Sequence, residues 1–282
     1  MPISSSVLDG GAEKDGGKIW QRTLVQRNVS HVARLPAEIV TGIFLTTRVL
    51  ERAEKEDRWE RDNPVADKLG WIQLTHVCRH WRQLALGFHS LWAEIDFARK
   101  EFWVAELFHR AGPSALLSIY VSRPPTPSQS RLVQDSLPRI KYLRIECWSA
   151  IQPYLSLVDS LKNSAPHLET FEFHDHNTEL GNFLYPNGLF GNTTPQLRRF
   201  VADSVGAAPW TLPHLCNLTS LSIWLHQGHA GPEVQMEDIL SALERMPALQ
   251  ELDLWEGPAG ASPTSIWVRN HAAANGHIGI TF

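Results

Sequence analysis

Pro138-Arg139-Ile140-Lys141-Tyr142-Leu143-Arg144-Ile145 sets apolar side chains at 140, 143 and 145, with polar or amphipathic ones between them. The same spacing, apolar-x-x-apolar-x-apolar, returns in four later stretches. They are Pro166-His167-Leu168-Glu169-Thr170-Phe171-Glu172-Phe173, Pro195-Gln196-Leu197-Arg198-Arg199-Phe200-Val201-Ala202, Leu218-Thr219-Ser220-Leu221-Ser222-Ile223 and Pro247-Ala248-Leu249-Gln250-Glu251-Leu252-Asp253-Leu254. Each stretch ends in alternation, the period of a strand with one buried face. The central apolar positions are 143, 171, 200, 221 and 252, at intervals of 28, 29, 21 and 31 residues. A segment of that length holds one strand and one return, and it is too small to bury its apolar face alone.

Such intervals lie in or near the ~20–29 residues of leucine-rich repeats. The pattern resembles those repeats, with two departures: Ala202 is a small final member, and no asparagine ladder follows the strands. Leu155, Leu157, Val158 and Leu161 suit one return helix, and Ile239, Leu240, Leu243 and Met246 suit another. The expectation is an irregular leucine-rich-repeat-like α/β solenoid over residues 98–282. The alternative is an ordinary α/β domain with coincidental leucine spacing. Lys141, Arg144, Thr170, Glu172, Arg198, Arg199, Ser222, Gln250 and Asp253 are the polar strand positions where a solenoid meets a partner, and where side chains are also simply solvated. Residues 262–282 are short for a terminal cap, which leaves a truncated chain or a degenerate last repeat.

Upstream of the repeats, Leu91 to Phe97 alternates like a half-buried strand. Glu101 to Arg110 reads as a helix with Phe102, Trp103, Leu107 and Phe108 as its apolar set, stopped by Gly112-Pro113. Leu117 to Val121 reads as a strand, and Arg123-Pro124-Pro125-Thr126-Pro127-Ser128 as a turn or linker.

Two amphipathic helices are expected near the N-terminus. Leu35, Ile39, Ile43 and Phe44 form one apolar side from Pro36 to about Leu45; Val77, Trp81, Leu84 and Ala85 form another within Leu74–Ala85. Pro36 suits a helix start, where its missing N–H goes unused. Between them, residues 48–67 are dense in charge. Glu51/Lys55, Glu54/Arg58 and Asp57/Arg61 each support a solvated helix by ~0.2–0.5 kcal/mol. Residues 1–30 read as a disordered tail with little to bury.

Leu35-Pro36 through Ile43-Phe44, then Val77-Cys78-Arg79-His80-Trp81-Arg82, then Leu91-Trp92, resemble an F-box in order and type. Leu69-Gly70-Trp71-Ile72 followed by Thr75 to Arg82 is similar to the F-box-like proteins expanded in mushroom-forming fungi. The resemblance covers residues 32–97, and the charged insert at 48–67 is its main departure. It implies an α+β chain with an F-box-like domain at 31–97 ahead of the solenoid. It further implies a substrate-recognition subunit of an SCF-type (Skp–cullin–F-box) ubiquitin ligase, whose repeats hold an unidentified protein client. Leu35, Pro36, Ile39, Ile43, Val77 and Cys78 match the family positions that face the Skp-type adaptor, and through it a cullin. Trp81 matches a position inside the module, and Arg79 and Arg82 read as solvated or capping charges. The alternative is an interaction scaffold that does not enter a ligase.

Composition sets only broad bounds. Of 282 residues, 43% are hydrophobic and 20% charged, an ordinary globular balance, and a net charge of −4 makes no case for nucleic acid or an anionic membrane. No apolar run approaches the ~20 residues of a spanning helix, and Met1 to Gly17 has no secretory core. Cys78, Cys147 and Cys216 are far apart, so neither a disulfide framework nor a zinc site is expected. A reducing compartment, cytoplasm or nucleus, fits best. Cys78 reads as a small packed hydrophobe. His76 and His80 are four apart, but no His-Glu-x-x-His order and no third ligand accompany them. His174-Asp175-His176 reads as a solvated loop after a strand. No nucleophile elbow or phosphate-binding lysine loop occurs. A chain that is not an enzyme is expected, with no catalytic residue, cofactor or metal.

Overall fold

The apolar positions of the repeats come to lie side by side. The computed structural model describes residues 31–57, 70–148, 154–175, 189–203, 213–226, 236–257 and 264–269. Eight strands form one sheet in chain order: β1 (Glu94–Asp96), β2 (Leu117–Val121), β3 (Ile140–Cys147), β4 (Thr170–Asp175), β5 (Arg199–Asp203), β6 (Ser220–His226), β7 (Glu251–Gly257) and β8 (Thr264–Arg269). Neighbours from β1 to β7 are parallel, and β8 returns antiparallel along β7. Within residues 262–282, therefore, 264–269 pair with the edge strand, and the remainder lies outside the described residues.

Registration puts Ile95, Ile119, Leu143, Phe171, Phe200, Leu221 and Leu252 in a single row across seven strands. Every member is buried. A second buried row runs through Val121, Ile145, Phe173, Ala202 and Ile223. The pattern thus starts two strands earlier than the stretch at 138: Ile95 and Ile119 stand 24 residues apart, and Leu143 follows 24 later. Phe171 meets the ring of Phe190 edge-on at 5.1 Å and that of Phe200 at 5.5 Å.

Parallel neighbours need a crossover on every connection. Four described helices supply them: α3 (Glu101–Ala111), α4 (Pro127–Ser136), α5 (Leu155–Ser160) and α6 (Met236–Glu244). Two 3-10 turns, Leu189–Asn192 and Pro213–Asn217, lie on the connections into β5 and β6. α3 packs on α4 and α4 on α5, following strand order. The expected return helices occur at α5 and α6; Leu157, Val158, Leu161, Ile239, Leu243 and Met246 are buried, while Leu155 and Leu240 are exposed. Gly112, at φ 65°, ends α3 in the left-handed region that suits a residue without Cβ.

Three expectations change here. Pro127 opens α4 instead of closing a linker: Thr126 caps it, and Gln129 reciprocates in a capping box. On α3, Phe102 faces solvent and Trp103 is half-buried; Val104, Leu107, Phe108 and Ala111 take the core, being spaced three and four apart. Only Glu94–Asp96 of the 91–97 stretch is strand, after a 3-10 turn at His89–Trp92.

The helical unit, residues 31–57 and 70–87 among those described, is compact by itself, and the sheet unit begins at Phe88. The division falls ahead of the boundary expected at 97 because β1 pairs with β2. Leu91 and Trp92 are buried in the sheet unit, where the Arg110 guanidinium lies 4.3 Å over the Trp92 ring. The helical unit holds a 3-10 turn at His31–Arg34, α1 (Ala37–Asp57), a 3-10 turn at Gly70–His76 and α2 (Arg79–Gly87). α1 runs through the first part of the charged stretch without a break; the ion pairs expected at 51–61 lie outside the described side chains. The proposed tail at 1–30 also lies outside the described residues. Among the described residues no helix is long and apolar enough to cross a membrane.

Truncating Phe171 to Ala removes the centre of the main row. It is expected to cost the sheet unit about 3–5 kcal/mol in urea unfolding, whereas Lys141→Ala, on an exposed side chain, stays within about 0.5 kcal/mol. Equal effects would refute the row as the core.

Candidate functional site

Helical geometry divides α1 into two faces. Val40 and Phe44, four apart, are fully buried. Ile39 lies five positions before Phe44, about 140° around the helix, and is 52% exposed. The single apolar side expected from Leu35, Ile39, Ile43 and Phe44 is therefore split, with Leu35 and Ile43 half-buried. Phe44 meets Trp71 edge-on at 6.4 Å and Trp81 at 5.8 Å. The Trp81 indole donates to the Val32 carbonyl at 3.1 Å, tying the start of the unit to α2. Thr75, also buried, donates to the Ile72 carbonyl at 2.7 Å.

The second expected helix is broken. Its first part is the 3-10 turn, and α2 begins only at Arg79, with the Cys78 carbonyl accepting from Arg82 N at 3.1 Å. Val77 precedes that start, so the i, i+4 relation to Trp81 does not carry over. Trp81 and Ala85 are buried, Leu84 is half-buried, and Val77 is 50% exposed. For the same reason His76 and His80 do not share a helical turn; both are exposed.

None of the six positions matched to an adaptor interface is buried: Pro36, Ile39 and Val77 are exposed, and Leu35, Ile43 and Cys78 half-buried. Val32, Val49, Leu50 and Leu86 are exposed as well. Six of the ten large exposed apolar side chains among the described residues thus fall in this small unit. Leu50 escaped the sequence reading because the helix was ended near Leu45; continuing the 3.6 period from Ile39 and Ile43 places Leu50 on their stripe.

The sheet unit presents a second candidate surface. Alternation sends Tyr142, Arg144 and Glu146 of β3, Glu172 and His174 of β4, and Arg199 of β5 to the face opposite the buried rows. Glu172 is their hub. The Tyr142 hydroxyl donates to its Oε2 at 2.9 Å; Arg144 lies 3.6 Å away, His174 3.7 Å and Arg199 3.5 Å. Arg144 also pairs with Glu146 at 2.7 Å, Arg199 donates to the Ser220 hydroxyl at 3.1 Å, and Ser222 donates to Asp253 at 3.2 Å. The rings of Tyr120 and Tyr142 are tilted against each other with their centroids 5.0 Å apart. Burial alone would raise the Glu172 carboxyl, but His174, Tyr142 and Arg144 together hold it down to about 2. Burial and the Glu172 charge push the Tyr142 phenol up to about 12.

Arg144, Thr170, Glu172, Arg199, Ser222 and Asp253 are on this face by register. Lys141, Arg198 and Gln250 are not; they stand at the strand entries. Arg198 is spent on the carbonyls of Pro195, Leu197 and Asn217. Tyr120, Tyr142, Glu146 and His174 were missed; a period of two counted either way from Arg144 would have found Tyr142 and Glu146, and counted on from Glu172 it would have found His174. His174 and Asp175 belong to β4, not to a loop, while His176 lies outside the described residues. No family model, curated protein or solved structure matches the chain.

Because the folded Glu172 carboxyl is depressed, its stabilisation is complete above its ordinary range near 4.5 and is lost as pH falls toward about 2. Glu172→Gln is expected to lower stability at neutral pH, with its deficit against the unaltered chain vanishing over that acid window. A deficit independent of pH would remove the charge network as the cause.

Proposed function

We propose that this chain is an F-box-type recognition subunit of an SCF-type ubiquitin ligase. The helical unit docks a Skp-type adaptor, and the sheet is a leucine-rich-repeat-like solenoid that holds a protein client. One observation carries the reading. The helical unit builds its own core from Val40, Phe44, Trp71 and Trp81, yet leaves Ile39, Leu50, Val77 and Leu86 in solvent. Each such side chain gains about 1.5–3 kcal/mol when fully buried. A few anchors of this kind carry most of the energy of a protein interface.

The repeat reading rests on the strand order, the parallel pairing and the single apolar row. A stack of this type offers its outward polar positions as a continuous surface. The chain's part in ubiquitin transfer is proximity: it holds a client lysine near a charged conjugating enzyme supplied by others. No bond is made or broken by its own residues.

Co-expression with a Skp-type adaptor is expected to yield a stable complex that recovers a cullin. Ile39→Asp combined with Val77→Asp sets two charges against the apolar contact and is expected to abolish the complex. Thermal unfolding should hardly move, because both positions are exposed. A complex indifferent to both substitutions, or none with the unaltered chain, overturns the proposal; adaptor without cullin reduces it to a scaffold.

A further inference from the structure

Exposed arginines flank the apolar anchors in the sequence. From Leu69 to Ala93 the sequence contains no Asp or Glu, although the chain as a whole carries −4. Arg79, His80 and Arg82 are exposed on α2, and Arg34 is exposed beside Leu35-Pro36. On α2, Arg79, Arg82 and Leu86 recur at three- and four-residue spacing, on a stripe about 110° around the helix from the buried Trp81 and Ala85. Among the described residues no carboxylate pairs with Arg34, Arg79 or Arg82. Glu38 and Glu51 are the acidic groups of the unit whose side chains are described.

This arrangement costs the free chain stability. Arg79 and Arg82 are like charges three apart on one helix, and they repel. Both sit in the first turn of α2, where the helix dipole disfavours cations.

We infer that the docking partner meets the anchors with an apolar pocket rimmed by carboxylates, and that Arg34, Arg79 and Arg82 steer it into place. The inference rests on the docking reading above and adds the partner's electrostatic chemistry. A phosphate backbone offers no apolar pocket for Ile39, Val77 and Leu86. A protein surface with acidic residues around a groove satisfies both features. Complementary charge of this kind acts mainly on the association rate.

The test is stopped-flow association of the full chain with a purified Skp-type adaptor across a salt series. The unaltered chain should associate more slowly as salt rises. Combined Arg34→Glu, Arg79→Glu and Arg82→Glu should slow association at low salt by roughly tenfold or more, with dissociation little changed. Arg79→Glu alone should also raise the melting temperature, since it relieves both costs in α2, so slower docking cannot be ascribed to a damaged fold. Arg→Gln at the same three positions should fall between. If the unaltered chain binds, Ile39→Asp abolishes binding and the arginine variants keep the full rate, the acidic rim is refuted while docking stands. If the unaltered chain does not bind the adaptor, docking and rim fall together. If the chain binds phosphatidylserine vesicles through the same arginines in preference to the adaptor, the partner is a lipid surface and the inference is overturned.

Discussion

A strand that pairs in parallel with its neighbours can satisfy its backbone only if each connection crosses back, and can bury its apolar face only if the next strand repeats the pattern. The row from Ile95 to Leu252 answers that constraint. Its members occupy equivalent positions on seven strands, so the helices and turns on the returns fall into the same order. The opposite face is released from core duty. Glu172 can therefore collect Tyr142, Arg144, His174 and Arg199 around one carboxylate on that face.

The helical unit solves a different problem with fewer residues. Phe44, Trp71 and Trp81 supply aromatic bulk, and the Trp81 indole finds a carbonyl partner, as a buried indole requires. A core made from so few side chains leaves other apolar ones over. Ile39, Leu50, Val77 and Leu86 remain in water, and among the described residues no carboxylate pairs with Arg34, Arg79 or Arg82. On the proposed reading these side chains are the docking surface. The same economy explains why Arg79 and Arg82 are tolerated at the unfavourable end of α2.

Much of the sheet was legible in the sequence because alternation is a local property. The spacing around Leu143, Phe171, Phe200, Leu221 and Leu252 yields both the strands and their registration. β1 and β2 carry the same row and the same spacing, Trp92-x-x-Ile95-x-Phe97 and Leu116-x-x-Ile119-x-Val121, but neither has the proline two residues ahead of its first apolar position that heads four of the five later stretches, so they read as isolated strands. α4 was hidden by its prolines, although Thr126 and Gln129 at capping-box spacing marked its start. In the helical unit, identity was easier to read than direction. A break of one or two residues near Val77 turns a helical face through a large angle, and five-residue spacing sends Ile39 and Phe44 apart. Which apolar residue is core and which is surface depends on those angles, and the list of apolar residues does not contain them.

Hydrogen–deuterium exchange of the full chain, free and mixed with a Skp-type adaptor, tests the central claim most directly. The account predicts added protection in α1 and across the turn into α2, the elements that carry Ile39, Leu50, Val77 and Leu86, with the strands of the sheet unchanged. Protection confined to the sheet, or none anywhere, would contradict it.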